Sequence, residues 1–418
     1  MSDCPILSVI IPTHDRAALL ERSLQALANQ SVAASAFEVL VVADACQDDT
    51  AARVTAYAEH ASFALRLLGH EARCAAASRN RGAAHARGDL LLFLDDDVVA
   101  RPELVRAHLD GQGSDTVVLG YSKPVLPSRP SWFQYDAHRW WEDTFRELGR
   151  PGRRFSYRDF FSGNVSLSTK LFQRVGGFDT AFTGRLEDYE LGVRLLGAGA
   201  RFSYAPLAIG DHCDTNDLEQ WLRRIRQEGM ADIQIGERHP ELRAGLFARY
   251  LIRPGRWRRL LRRLAFAYPE RGQRLELLML RQAALAERFR LRSAWRWIVW
   301  GLRDYNYSRG LAATIGGRRA LYAWLQEAPL TPSVATDAPC VDLAALPSET
   351  NLNVMLEQAT RLGLRLSLEG IEVTAIPPLP GAEPLQTHHL YTALRDLAQD
   401  QFVPAQALRL SRSLIETG

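Results

Sequence analysis

Five consecutive apolar residues, Leu90-Leu91-Leu92-Phe93-Leu94, run straight into Asp95-Asp96-Asp97, and this junction constrains the fold more than any other stretch of the chain. A short apolar run bounded by polar residues predicts a strand buried on both faces, as in the interior of a parallel sheet. Three carboxylates at its tip repel one another in a dry site, so they require a cation, water or hydrogen-bond donors beside them. The C-terminal edge of a parallel sheet is also where open α/β folds hold ligands. A divalent metal bridging a diphosphate meets both conditions. A strand ending in a solvated acidic turn is the plainer alternative.

The flanking residues repeat the pattern. Residues 7–11 are an apolar strand stopped by Pro12-Thr13, and residues 16–30 carry Leu19, Leu20, Leu24 and Leu27 at helical spacing. A second strand over 37–43 ends at Asp44, a helix starts at Asp48-Asp49-Thr50, and 65–68 is a short third strand. A small-residue helix over 75–86 leads to the acidic-tipped strand. Such alternation predicts a parallel sheet with helices on both faces. Residues 132–158, rich in Trp and Arg, read as irregular: an acceptor loop or a packed insertion. A strand over 160–168, a short helix over 170–175 stopped by Gly176-Gly177, a helix over 187–196 capped by Gly197 and a strand over 201–206 complete this half.

A chain of 418 residues is too long for one compact core and implies two or three domains, divided here as 1–216, 217–328 and 329–418. Residues 221–325 hold 23 Arg against eight Asp and Glu and are helical in pattern. The last segment mixes a helix over 351–362, strand-like 364–376 and helices from Gln386, and serves an acceptor, a partner protein or a second copy of the chain. The net charge of +3 is too small to mark a nucleic-acid binder. Five scattered cysteines without CxxC pairing argue against a zinc ribbon or disulfide framework and favour a reducing compartment. The N-terminus lacks the basic and cleavage-like features of a signal peptide, and no run of about 18 apolar residues exists to span a bilayer. A cytoplasmic location is expected. Arg256, Arg258, Arg259, Arg262 and Arg263 beside Trp257, with Trp295, Trp297 and Trp300, either meet anionic lipid at the inner face of the membrane or form a solvated face over an aromatic core, the second being favoured.

In order, the motifs Ser8-Val9-Ile10-Ile11-Pro12-Thr13-His14-Asp15-Arg16, Val41-Val42-Ala43-Asp44, Arg79-Asn80-Arg81-Gly82, Gly88-Asp89 through Asp97, Gly176-Gly177-Phe178-Asp179 and Glu187-Asp188-Tyr189-Glu190 resemble family 2 glycosyltransferases with a GT-A fold. The resemblance covers about residues 5–215. It implies an α/β, Rossmann-like mixed sheet flanked by helices, followed by a helical segment and a small C-terminal α/β segment. It also implies a metal-dependent, inverting transfer of a sugar from a nucleoside diphosphate donor, UDP-linked by preference, to a saccharide, lipid, peptide or small-metabolite acceptor.

The resemblance distributes roles along the motifs. Pro12 and Thr13 line the nucleobase, Asp44 accepts the uracil imide N–H, and Arg79 meets base or phosphate. Asp95 or Asp96 holds the ribose, the triple Asp allowing two registers. Asp97 binds Mn²⁺ or Mg²⁺ with His212 completing the shell. Asp188 is the general base, raised by Glu187 and lowered by the helix dipole. Gly163-Asn164 and Gly177 line the donor sugar or acceptor. His14-Asp15 stands where the family commonly has Tyr-Asn, which leaves the base contacts open. The ordered Gln-x-x-Arg-Trp string of processive synthases is absent, so single or limited transfer is expected. A nucleotidyltransferase and a non-catalytic nucleotide-sugar-binding scaffold are the rival readings.

Overall fold

The computed structural model describes residues 4–71, 74–214, 216–250, 256–268, 272–327 and 334–390. Arg73 (in the sequence a weaker candidate than Arg79 for the base or phosphate), part of 329–339 (the clearest linker in the sequence) and most of the C-terminal helices expected after Gln386 lie outside the described residues. The first elements are β1 (Leu7–Thr13), α1 (Ala17–Leu27), β2 (Phe37–Asp44), α2 (Thr50–Ala58), β3 (Ala64–His70), α3 (Ala75–His85) and β4 (Leu90–Leu94). Next come β5 (Val98–Ala100), α4 (Leu104–Asp110), β6 (Thr116–Pro124), α5 (Trp132–Leu148), β7 (Asn164–Ser168), α6 (Thr169–Arg174), α7 (Glu187–Gly197) and β8 (Arg201–His212).

Eight strands form one sheet in the order β3-β2-β1-β4-β7-β6-β8-β5. The first four are parallel, β7 is antiparallel to both neighbours, and β6 and β8 are parallel to each other. The sheet is therefore mixed and GT-A-like, not parallel throughout. β7 runs against its neighbours because the chain enters it at the acidic end of β4, where Leu94 faces Asn164. Side chains alternate across β4: Leu91 and Phe93 pack on one face with Phe172, Phe178 and Leu191, and Leu92 and Leu94 pack on the other with Leu20, Leu24 and Val105. Pro12 lies inside β1 instead of ending it. β4 pairs with β1 only as far as Ile10, so Pro12 lacks its N–H where β1 has a strand on one flank alone.

The segment expected to be irregular contains α5, a 17-residue helix opened by a capping box between Ser131 and Gln134. Its buried residues are only Phe133, Phe145 and Leu148. Phe133, Ala137, Trp141, Phe145 and Leu148 nevertheless recur at helical spacing, a period obscured in the sequence by the surrounding Trp and Arg residues.

The second half continues with α8 (Leu218–Arg238), α9 (Phe247–Tyr250), α10 (Arg256–Ala267), α11 (Gln273–Arg288), α12 (Arg292–Ile315) and α13 (Arg318–Gln326). α8 and α12 cross at glycines: a Cβ on Gly310 would lie 2.0 Å from the Arg226 carbonyl oxygen, and one on Gly229 2.3 Å from that of Tyr307. Ile225, Ile233, Leu311 and Trp324 join the same apolar cluster as Phe93 and Leu191, so the core crosses residue 217 without a break. Last come β9 (Cys340–Asp342), α14 (Glu349–Leu362), β10 (Leu364–Leu368) and β11 (Ile371–Ile376), a three-stranded sheet in the order β11-β10-β9 with its own core around Leu356 and Leu366. The expected single strand over 364–376 is a hairpin that turns at Glu369-Gly370, both at positive φ. This segment folds back on the sheet domain. Gly381 accepts the Tyr157 N–H at 2.8 Å, and the Glu383 carboxylate accepts the Phe202 N–H at 2.6 Å and the Phe155 N–H at 3.3 Å. Among the described residues no helix is long and apolar enough to cross a membrane.

Candidate functional site

From β1 the chain passes outward to β2, and β4 later returns on the other flank of β1, so a crevice opens at this switch point above the strand tips. Thr13, Asp44 and Asp95 to Asp97 all stand there, as the sequence predicts. Thr13 donates its hydroxyl to Asp96 Oδ2 at 2.8 Å. One arginine that the resemblance did not single out, Arg16, reaches both Asp96 Oδ1 (3.0 Å) and Asp97 Oδ2 (2.9 Å) through Nη1. Its only signal in the sequence is position: a cation three residues past the tip of β1.

Asp95 is turned away from that pair. Its N–H bonds to the Gly163 carbonyl at 3.0 Å, and its carboxylate takes Arg79 Nη2 at 2.9 Å. A Cβ on Gly163 would come within 2.5 Å of Asp95 Oδ2, so only glycine fits without displacing that carboxylate. Arg79 is buried and gives its other terminal nitrogen to Glu187 Oε1 at 3.0 Å. It thereby links the tip of β4 to the first turn of α7. The sequence expected Arg79 to face base or phosphate, but its terminal nitrogens are held by these two acids.

His212 ends β8 directly opposite Val98 of β5, which brings it beside Asp97. Its Nε2 is 3.5 Å from Asp97 Oδ1, too long for a strong hydrogen bond, and that oxygen is buried without a hydrogen-bond partner. An orphaned carboxylate oxygen with an imidazole nitrogen next to it is a donor set that suits a divalent cation. Burial pushes the Asp97 carboxyl up, but His212 and Arg16 outweigh it and hold the group below its usual range. For His212 burial acts downward and Asp97 reverses it, leaving the imidazole raised. Asp96 moves the other way, to about 6, because burial and the charge of Asp97 exceed the help from Arg16.

Asp188 sits in the first turn of α7, which Leu186 opens with φ 67°. Its Oδ1 accepts the Tyr189 N–H at 2.8 Å. Burial, then the charge of Glu187, raise its carboxyl to about 7 against the pull of Arg185 and Arg79. The sequence reading anticipated the effect of Glu187 but not that burial leads. A carboxyl poised near neutrality is suited to accept a proton.

Three predicted positions have other occupations. Asp44 is buried, and its Oδ2 accepts the Cys74 N–H (2.7 Å) and the Ser78 hydroxyl (2.9 Å), so it holds the start of α3. Asn164, expected to line the sugar, is buried between Ala208 O (2.9 Å) and His108 Nε2 (2.8 Å) and serves the packing of β7. Gly177 turns the chain at φ 68°, where a Cβ would meet Asn80 Oδ1 at 2.7 Å. Beside His212 a small, open recess of about 30 Å³ is lined by residues 124–127, Phe133, Gln134, Ala137, His138, Trp141, Asp214 and Asn216. It was not foreseen, because α5 supplies its aromatic wall. Of the expected tryptophan surface, Trp295 is buried in the helical core, whereas Trp297 and Trp300 are about half exposed. Trp257 stacks on Trp297 with ring centroids 3.9 Å apart.

Residues 8–176 match the family model for "Glycosyl transferase family 2", and residues 143–216 the one for "N-terminal domain of galactosyltransferase". The chain is 36% identical to the validoxylamine A glucosyltransferase of Streptomyces hygroscopicus subsp. jinggangensis over 59% of its own length and 64% of that protein. It is 29% identical to the pre-mycofactocin glycosyltransferase of Mycobacterium tuberculosis, over 57% of its own length and 49% of that protein. The chain thus spans less than two thirds of these relatives. A solved mannosyltransferase from Pyrobaculum calidifontis, in complex with GDP-Man and Mn²⁺, is 21% identical, with a TM-score of 0.44 over 56% of this chain and 64% of that one.

Proposed function

We propose that this chain, a member of glycosyl transferase family 2 over residues 8–176, moves a sugar from a nucleoside diphosphate donor to an acceptor nucleophile with inversion at the anomeric carbon. One observation carries the reading. Two polar networks stand side by side at the strand tips: one joins His212, Asp97, Arg16, Asp96 and Thr13, and the other runs from Asp95 through Arg79 to the α7 turn that bears Asp188. In this reading the groups that would bind a cation and accept a proton border one crevice.

In this reading Pro12, Thr13 and Asp44 border the nucleoside. Asp95 or Asp96 meets the ribose. Asp97 and His212 are the residues that would hold Mn²⁺ or Mg²⁺, and the cation, when bound, would offset charge growing on the departing diphosphate. Asp188 takes the acceptor proton, and Arg79 positions Glu187 so that its charge keeps Asp188 basic. The recess beside His212, with the Trp141 and Phe133 rings on its wall, supports entry of the acceptor from this side. The name of the Streptomyces relative makes glucose the first donor sugar to try. A cytoplasmic location, with Trp297 and Trp300 as the surface for peripheral lipid contact, completes the proposal.

The test is release of nucleoside diphosphate from a panel of UDP-, GDP- and CDP-sugars with Mn²⁺ and no acceptor. UDP release from one UDP-sugar, abolished by EDTA, is the expected result. Pyrophosphate release from a nucleoside triphosphate would instead favour a nucleotidyltransferase, and binding without turnover of any donor would favour a scaffold.

A further inference from the structure

Two loops leave the same sheet edge beside the two networks, and three of the loop residues take no part in either. His14 and Asp15 follow β1, Cys46 follows β2, and one donor atom from each of the three lies within 4.8 Å of the others. His14 Nδ1 is 2.6 Å from the Asp44 carbonyl oxygen. A carbonyl only accepts, so Nδ1 carries the proton and Nε2 presents its lone pair, 3.6 Å from Asp15 Oδ2. The other carboxylate oxygen of Asp15 is fixed by the N–H groups of Gln47 (2.6 Å) and Asp48 (3.2 Å), which turns Oδ2 toward His14. The Cys46 thiol makes a weak contact with the Thr13 carbonyl at 3.5 Å. The backbone is bent to bring these groups together: Asp15 and Ala45 adopt φ of 50° and 51°, a region non-glycine residues seldom occupy.

We propose that His14, Asp15 and Cys46 bind a thiophilic divalent cation of the Zn²⁺ class, at a site separate from Asp97 and His212. A nitrogen, an oxygen and a sulfur ligand with a fourth position open to water is a donor set for zinc, whereas Mg²⁺ and Mn²⁺ prefer oxygen ligands. The bond from His14 Nδ1 to a backbone carbonyl is the outer contact that fixes the tautomer of ligating imidazoles. Zn²⁺ bonds of about 2.0–2.3 Å in a tetrahedron put ligand atoms about 3.3–3.8 Å apart, so the three groups need draw together by only about 1 Å. The His14 and Asp15 side chains are 52% and 39% exposed, so that adjustment meets solvent more than packed neighbours. On binding, the Cys46 thiol gives its proton to solvent and the sulfur bonds as thiolate; nothing is oxidised or reduced. The bound cation ties the ends of β1 and β2 together next to Thr13 and Asp44. Any effect on donor affinity rests on the transferase reading; cation binding itself does not.

Cobalt substitution of the EDTA-stripped full chain tests the site without any assay of transfer. The expected result is one equivalent of Co²⁺ giving a thiolate-to-cobalt charge-transfer band that Zn²⁺ bleaches. The band is lost in Cys46→Ser and kept in Cys213→Ser and Asp97→Asn. His14→Gln, an exposed change, weakens Zn²⁺ binding by about 100-fold, at the upper end of what even an outer-shell change costs a metal site. Absence of the band in the unmodified chain, its survival in Cys46→Ser, or equal Zn²⁺ affinity in His14→Gln would overturn the proposal.

Discussion

Two buried clusters in this chain pair carboxylates with arginines, in opposite proportion. In the helical half the fully buried Asp304 faces Arg258 at 2.6 Å and Arg262 at 3.6 Å, with Arg303 also close enough to feel its charge. Cations outnumber the anion there. At the strand tips Asp95, Asp96, Asp97, Glu187 and Asp188 share Arg16, Arg79, Arg185 and His212, and anions are in excess. Each cluster contains one carboxylate oxygen, Asp304 Oδ1 and Asp97 Oδ1, buried without a hydrogen-bond partner. An orphaned oxygen is therefore not by itself the mark of a cation site. The surrounding charge decides: among arginines such an oxygen is already compensated, whereas among acids it needs further positive charge.

Exchanging carboxylates for amides in the two clusters tests this contrast. The largest effect is expected for Asp188→Asn, which should lower turnover about 1,000-fold, or about 4 kcal/mol, while donor affinity by titration changes little. Near-normal turnover would remove Asp188 as the base. Next, Asp304→Asn should cost about 2–3 kcal/mol of stability in urea unfolding and leave Mn²⁺-dependent donor binding intact. That is below the ~3–5 kcal/mol for a fully buried pair, because Arg258 reaches water. Asp97→Asn should do the reverse, reducing donor affinity in Mn²⁺ about 30-fold, to the level seen in EDTA, with little change in the unfolding midpoint. If both variants lose stability alike and neither affects the metal response, the contrast between the clusters fails.

The smallest effect concerns pH. Asp188 is raised to about 7, so it is protonated and unable to accept a proton below that value. The logarithm of kcat/KM should then rise by about one per pH unit up to pH 7 and level off above it. Asp96 at about 6 adds a second, weaker loss at lower pH through donor binding. A profile flat from pH 5 to 8 would show that no group of this kind limits the reaction.

The parallel part of the sheet was legible because β1, β2 and β4 are short, largely apolar runs with polar tips, β2 being buried at every position, whereas β5 and β6 were not read as strands. Asp95 to Asp97 were legible for the same reason, since where an apolar strand ends its carboxylates must emerge. What joins them was not. Arg79 and Glu187 meet across 108 residues, and no local pattern encodes that pairing. Asp304 sits in a helix among arginines and reads in sequence as an ordinary surface charge, although packing of α10 on α12 buries it completely. Helix α5 carries its apolar residues at helical spacing but was hidden among Trp and Arg, and with it the aromatic wall of the recess beside His212. Asp44 shows a further gap: its position at a strand tip was correctly read, but the protein donors from Cys74 and Ser78 depend on where α3 docks.

The clasp made by Gly381 and Glu383 has a bearing on how the molecule can be shortened. A version ending before residue 381 would strip the partners from the main-chain N–H groups of Tyr157, Phe155 and Phe202. Each such donor, if closed off from water, costs about 1–3 kcal/mol. Tyr157 also packs against Gly192 of the helix that carries Asp188. Trimming the tail would therefore loosen the floor beneath that helix, so the turn beyond β11 acts as a keystone for an element it follows by nearly two hundred residues.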